Sequence, residues 1–212
     1  MKTLFDRNAV ILSMEMKTLL TAWIWTVCIC VPAWGQKMDI SDGPEAGGHE
    51  VQVWSGGGHS VAGGTQNTSV WNLGVRYGWV LTNPHLPGPL KGRFEYAVDA
   101  VPAFVVFQPG NTVFGAGVNP LNLKWNFSSF GRVVPYVELS GGVMFTNHDT
   151  PPGTSQINFT PGAGLGAHFL TGSSWNWSAE VRYLHISNAG LTTPNPGINT
   201  VQVRVGIGRF KH

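Results

Sequence analysis

Stretch after stretch of this chain alternates apolar and polar residues with a period of two, and that alternation limits its fold more than any other feature. In residues 70–82, Trp71, Leu73, Val75, Tyr77, Trp79 and Leu81 share one face, while Asn72, Gly74, Arg76 and Gly78 share the other. Successive strand residues point to opposite sides of a sheet, so the pattern predicts strands with one apolar and one polar face. It recurs over 90–101, 121–127, 136–146, 157–169, 175–185 and 198–209, with a weaker first strand near 49–59. The segments between them, 61–68, 83–89, 107–111, 128–132, 147–156, 171–174 and 188–197, are rich in Gly, Pro, Asn and Ser and read as turns. Sustained helical periodicity is missing after residue 35.

Eight such strands suit either a soluble sandwich or a membrane barrel, and charge decides between them. Charged residues are 11% of the chain, against about 25% in an average soluble domain. Hydrophobic content is an ordinary 42%, so the shortage of charge does not reflect a larger core. A sandwich would turn its polar face to water and charge it heavily. Here that face carries a few mixed charges and many glycines, as the inside of a narrow closed barrel requires. The apolar face carries aromatics near strand ends, the pattern of an interfacial girdle. The expected fold is therefore all-β: an eight-stranded antiparallel transmembrane (outer-membrane) β-barrel. Eight strands leave room for interlocked side chains and no wide pore. Arg93, Glu95, Asp99, Lys124, Glu138, Glu180, Arg182 and Arg204 read as an ion-paired interior that His168 joins. The net charge of +2 leaves no strong footprint for nucleic acid.

The N-terminus reads as an export signal. Met16-Lys17-Thr18-Leu19 repeats the opening Met1-Lys2-Thr3-Leu4 and offers a second start. Lys17 begins a basic region, an apolar run spans Leu19 to Val31, and Ala33-Trp34-Gly35 supplies small residues at the two positions a signal peptidase reads. Residues 1–35 are thus expected to be removed, leaving a single barrel domain over 36–212. Both cysteines, Cys28 and Cys30, fall in the removed part. The exported domain is then expected to use neither disulfides nor thiolate metal sites, and no cofactor is implied.

The stretch Leu184-His185-Ile186-Ser187-Asn188-Ala189-Gly190 sets a base and a hydroxyl two positions apart. His185 and Ser187 continue the odd-numbered series Trp175, Trp177, Ala179, Val181 and Tyr183, so both point toward lipid. With both termini periplasmic, this strand ends outside. Eight steps from Trp177 to His185 cover roughly 20 Å of depth after tilt. The pair is expected at the outer-leaflet interface, where lipopolysaccharide is the resident lipid.

Residues 185–199, HISNAGLTTPNPGIN, resemble the signature of the outer-membrane lipid A 3-O-deacylases, the PagL family, in which a His-x-Ser-Asn-Ala-Gly run is followed by Pro-Asn-x-Gly. The resemblance implies hydrolysis of the 3-linked acyl ester of lipid A by a Ser/His/acid triad. Ser187 would be the nucleophile and His185 the base, with Asn188 and Gly190 holding the oxyanion. A hydroxyl activated by a neighbouring base is what ester cleavage needs, and donors in the following turn would stabilise the developing charge. The family's acid falls at position 199, where this chain has Asn199. Odd parity keeps Asn199 on the correct face; Asp149, in the outer loop 147–156, is the alternative acid. The expected partners are lipopolysaccharide and the membrane, with homodimerisation left open. A barrel without activity and a phospholipase-like esterase are the rival readings.

Overall fold

The computed structural model describes residues 43–172 and 175–212. The expected signal segment 1–35, with its second start at Met16 and with Cys28 and Cys30, lies outside the described residues. The strands are β1 (His49–Ser60), β2 (Ser69–Val80), β3 (Gly92–Gln108), β4 (Asn111–Phe127), β5 (Val133–Thr146), β6 (Ile157–Phe159), β7 (Gly162–Leu170), β8 (Asn176–Ile186) and β9 (Ile198–Lys211). β6 and β7 are two parts of one stave, interrupted at Thr160–Pro161, where proline has no N–H to give to a ladder. All neighbours pair antiparallel, and β1 pairs with β9 from His49↔Lys211 to Ser60↔Thr200. Eight staves therefore form a closed barrel, as the alternation predicts.

Two strands run further than alternation foretells. β3 and β4 make a long hairpin closed at Gly110, whose φ of 92° is the left-handed conformation that glycine adopts freely. Register shifts between Val101 and Phe104 and between Val118 and Leu121 each exchange the two faces. Odd residues of β3 point inward up to Val101, and even ones from Phe104 onward. A fixed period of two loses such a strand at its bulge. That explains why the sequence reading ends β3 at 101 and starts β4 at 121.

The inward face is a buried ionic network. Arg76 donates to Asp99 at 2.7 and 3.0 Å and to Glu138 at 2.9 Å. Arg204 reaches Glu138 at 3.0 Å and Glu180 at 2.6 Å, and Lys124 reaches Glu50 at 2.5 Å and Glu95 at 3.1 Å. A charge taken out of water needs such a partner, and breaking one pair would strand the other charge. Arg76 and Glu50 thus join the expected interior set. Arg93 stays half-buried at the barrel end, with no ion pair among the described residues. The His168 ring is buried against Tyr136 and Phe210, with Nε2 3.8 Å from Glu50. Gly74 is required here: a Cβ would lie 2.3 Å from the Trp54 ring, which in turn lies under Arg204.

The outward face is apolar, from Val53 through Leu139, Leu165 and Val203 to Ile207. At the end where β1 begins and β9 finishes, Tyr77, Trp79 and Tyr96 form a run of ring contacts, and Arg209 lies over Trp175. Trp71, Phe107, Phe114 and Phe145 are exposed toward the opposite end. This is the aromatic-girdled belt of an outer-membrane barrel. Expressed from its own start, the protein is expected to fractionate with outer membranes and to migrate faster on gels before boiling than after. Recovery as a soluble periplasmic monomer would contradict the fold.

Candidate active site

His185, Ser187, Asn188, Gly190 and Asn199 lie where β8 leaves the barrel and β9 returns, at the end away from the start of β1 and the finish of β9. His185 and Asn199 are directly opposed across β8 and β9, which puts their side chains in contact on one face. His185 Nδ1 lies 2.6 Å from Asn199 Oδ1. An amide oxygen only accepts, so the contact requires a proton on Nδ1 and leaves Nε2 with its lone pair.

The direction of the Asn199 amide is itself set by a neighbour. Its Nδ2 donates to the Ala62 carbonyl at 3.3 Å, an acceptor that suits NH₂ and not oxygen. The β1–β2 loop is held over β9 by Val61 N–H to Asn199 O at 2.7 Å and Thr65 N–H to Gly197 O at 2.9 Å. Gly63, at φ 100°, leaves the space this needs, since a Cβ there would stand 2.8 Å from Asn199 Nδ2. Gly197, at φ 65°, does the same for the histidine, with a would-be Cβ 2.8 Å from His185 Cε1. Sequence reading missed the β1–β2 loop; the paired glycines Gly63-Gly64 were its only local signal.

Ser187 follows two positions on, about 7 Å along the strand, and bridges Phe159 through both backbone groups, at 2.7 and 3.1 Å. It is buried, and the His185 ring is half-buried beside it. Among the described residues, the side-chain hydrogen bond of His185 goes to Asn199 and not to Ser187. Catalytic hydrogen bonds are commonly loose before substrate binds.

Asn188 and Gly190, expected as oxyanion donors, are occupied inside the loop. The Gly190 N–H donates to Asn188 Oδ1 at 2.8 Å, and the Asn188 N–H donates to Asn195 Oδ1 at 3.1 Å. Asn188 Nδ2 donates to Thr192 Oγ1 at 2.7 Å, and Leu191 N–H closes on Asn188 O at 3.0 Å. Ala189 and Gly190, at φ 51° and 84°, are the two left-handed positions of a type I′ turn. The Ala189 N–H has no partner among the described residues. The main-chain carbonyl of Asp149 accepts from Gln108 at the end of β3, at 3.2 Å. The loop carrying it touches the β8–β9 loop through Thr154, whose carbonyl accepts from Thr192 at 3.0 Å. Among the described residues, no group of His, Cys, Asp and Glu could hold a metal.

The geometry predicts a single tautomer for His185. In the neutral ring of the folded protein, ¹⁵N shifts should report a protonated Nδ1 and a bare Nε2, and Asn199→Ala should return the ring to a mixture of tautomers. A mixture already present in the parent would refute the orientation by Asn199.

A model of the lipid A 3-O-deacylase (PagL) family matches residues 69–208, from the start of β2 to near the end of β9. The crystal structure of the outer membrane enzyme PagL superposes with a TM-score of 0.59 at 22% identity, over 73% of this chain and 97% of that one. The outer membrane protein OprG from Pseudomonas aeruginosa gives 0.50 at 15% identity, over 80% and 98%. Neisserial surface protein A gives 0.51 at 15% identity, over 77% and 97%. At such identities these likenesses describe the fold alone. No curated protein matches the chain.

Proposed function

Because the chain belongs to the lipid A 3-O-deacylase (PagL) family, we propose that it hydrolyses the ester-linked acyl chain at the 3-position of lipid A, with Ser187 as nucleophile and His185 as base. The observation that carries this reading is the 2.6 Å contact of His185 Nδ1 with Asn199 Oδ1, on outward-facing strand positions one step from Ser187. It leaves Nε2 as a base on the lipid side of the barrel wall, where an ester in the outer leaflet can reach it.

In the proposed reaction, Ser187 Oγ attacks the ester carbonyl while His185 Nε2 takes its proton. The carbonyl oxygen becomes an oxyanion, for which the unpartnered Ala189 N–H is the available donor; Asn188 and Gly190 act by holding the turn that presents it. Collapse breaks the bond to the sugar oxygen, which leaves with the proton from His185. Water then attacks the acyl-serine with His185 again as base, releasing the fatty acid and restoring Ser187. No metal or cofactor takes part in this scheme.

Asn199 stands where the family has an acid, and the consequence depends on the tautomer it enforces. In a serine protease the acid-to-amide change costs about 10⁴ in turnover because the amide selects the wrong tautomer. Here the Ala62 carbonyl takes the NH₂ end, so the oxygen faces the ring and the productive tautomer is kept. What is lost is the charge that would steady the imidazolium. Activity is therefore expected, at a lower level than a carboxylate would give.

Two measurements test the reading. Mass spectrometry of lipid A from cells expressing the chain should show loss of the 3-linked acyl group, and Ser187→Ala should abolish that loss while the barrel still assembles. Activity of Ser187→Ala within twofold of the parent would remove Ser187 from the mechanism. For the third position, Asn199→Ala should lower turnover by about 10²-fold or more through loss of ring orientation. Asn199→Asp, which fits the same space, should change it by roughly tenfold at most, since the charge gained at the imidazolium is opposed by the Ala62 carbonyl now facing an oxygen. A gain near 10⁴-fold would mean that Asn199 does not hold the productive tautomer.

A further inference from the structure

Cross-strand register places an apolar hollow on the lipid face beside the reactive pair. Ser187 bridges Phe159, and Phe159 pairs with Val143. One row nearer the barrel's middle, the His185 N–H donates to the Pro161 carbonyl at 2.9 Å. Ser140 pairs with Gly162, so Gly141 stands beside Pro161, and Gly141 pairs in turn with Leu121. A hollow of about 350 Å³ lies over these rows, walled by Pro120, Leu121, Gly141, Val143, Phe159 and Pro161. It is shallow and open toward lipid, and its middle is about 10 Å from His185, two strand spacings away.

The hollow exists because one side chain is missing. The outward series of β5 reads Val137, Leu139, Gly141, Val143, Phe145, and glycine is its only gap. The backbone does not require that glycine. A Cβ at 141 would touch only Leu121, at 3.8 and 3.9 Å, an ordinary contact. The bulge between Val118 and Leu121 widens the gap from the side of β4. Inside the barrel, the cavity bounded by Trp54, Asn72, Arg182 and Gln202 is about 20 Å³, room for a water molecule and no more.

We infer that this groove holds the hydrocarbon of the acyl chain under attack, with Gly141 setting how far that chain can lie across β5. The occupant is hydrocarbon because the groove is continuous with the lipid-facing belt and its walls are apolar. The inference rests on Ser187 and His185 marking the position of the ester carbonyl.

Photolabelling tests it without turnover. Ser187→Ala protein in bilayers is exposed to an acylated glucosamine phosphate whose 3-linked chain carries a diazirine toward its methyl end. Label is expected on Leu121, Val143 and Phe159, and adding Gly141→Phe should reduce it by roughly tenfold. Label spread evenly over the outward residues of the barrel, or unaffected by Gly141→Phe, would overturn the groove. In the catalytically intact chain, Gly141→Phe should shift the ratio of turnover on short over long 3-linked chains upward by about tenfold; an unchanged ratio overturns the assignment. If the parent with Ser187 intact has no deacylase activity while its Ser187→Ala form is still labelled at the groove, the groove's hold on the chain stands and the roles of Ser187 and His185 are refuted. Heat-modifiable migration controls for assembly, and Gly141→Val fills the same gap if the larger side chain prevents folding.

Discussion

Pairing of β1 with β9 is the constraint on which the rest depends. Inside hydrocarbon an unpaired N–H or C=O costs several kcal/mol, so a sheet can cross only with no free edge. Closure at eight staves sets the radius, and that radius leaves an interior only as wide as interlocked side chains. The charges inside must then neutralise one another. Arg76 and Arg204 converge on Glu138 from different strands, and Lys124 bridges Glu50 and Glu95. The lumen is a set of cross-braces, and the proposed lipid substrate is left only the outer wall.

That confinement explains why alternation, which says nothing of chemistry by itself, marks the side on which the proposed site lies. Even-numbered residues of β8, such as Glu180 and Arg182, are buried in the network, while Val181 and Tyr183 are exposed on the lipid face. His185, Ser187 and Asn199 carry the outward parity. Polar side chains on that face have no partner to gain from the interior, so their presence calls for another explanation.

Much of the fold was legible because a half-buried strand writes its geometry directly into residue order. It became illegible where the order slips. The bulges in β3 and β4 reverse parity, and the proline at 161 divides a stave that alternation reads as continuous. The site was legible to the extent that it is local. His185, Ser187 and the turn-forming Asn188, Ala189 and Gly190 lie within six residues, and Asn199 is named by register across one hairpin. The β1–β2 loop was not legible. Its hold on Asn199 joins residues 137 apart in sequence, and no periodicity connects them. The hydrogen-bonding of Asn188 was equally hidden, because an asparagine in a turn serves as donor to a ligand or as a brace for the loop with the same residue type.

The replacement of an acid by an amide need not imply a retired enzyme, and the reason lies in what each part of a triad supplies. The third residue fixes the ring and its tautomer, and it steadies the positive charge formed during attack. An amide can do the first only if something decides which end faces the ring. In this barrel the Ala62 carbonyl decides it, and Gly63 makes the approach of that loop possible. The second task is left undone, yet its magnitude depends on surroundings. In the proposed reaction at a hydrocarbon boundary, an uncompensated imidazolium is costly, and so is a buried carboxylate in every other step. An amide avoids placing a permanent negative charge on the lipid-facing wall. On the proposed mechanism, Asn199 gives up peak stabilisation of one transient charge and keeps a permanent carboxylate off the lipid-facing wall of a membrane barrel.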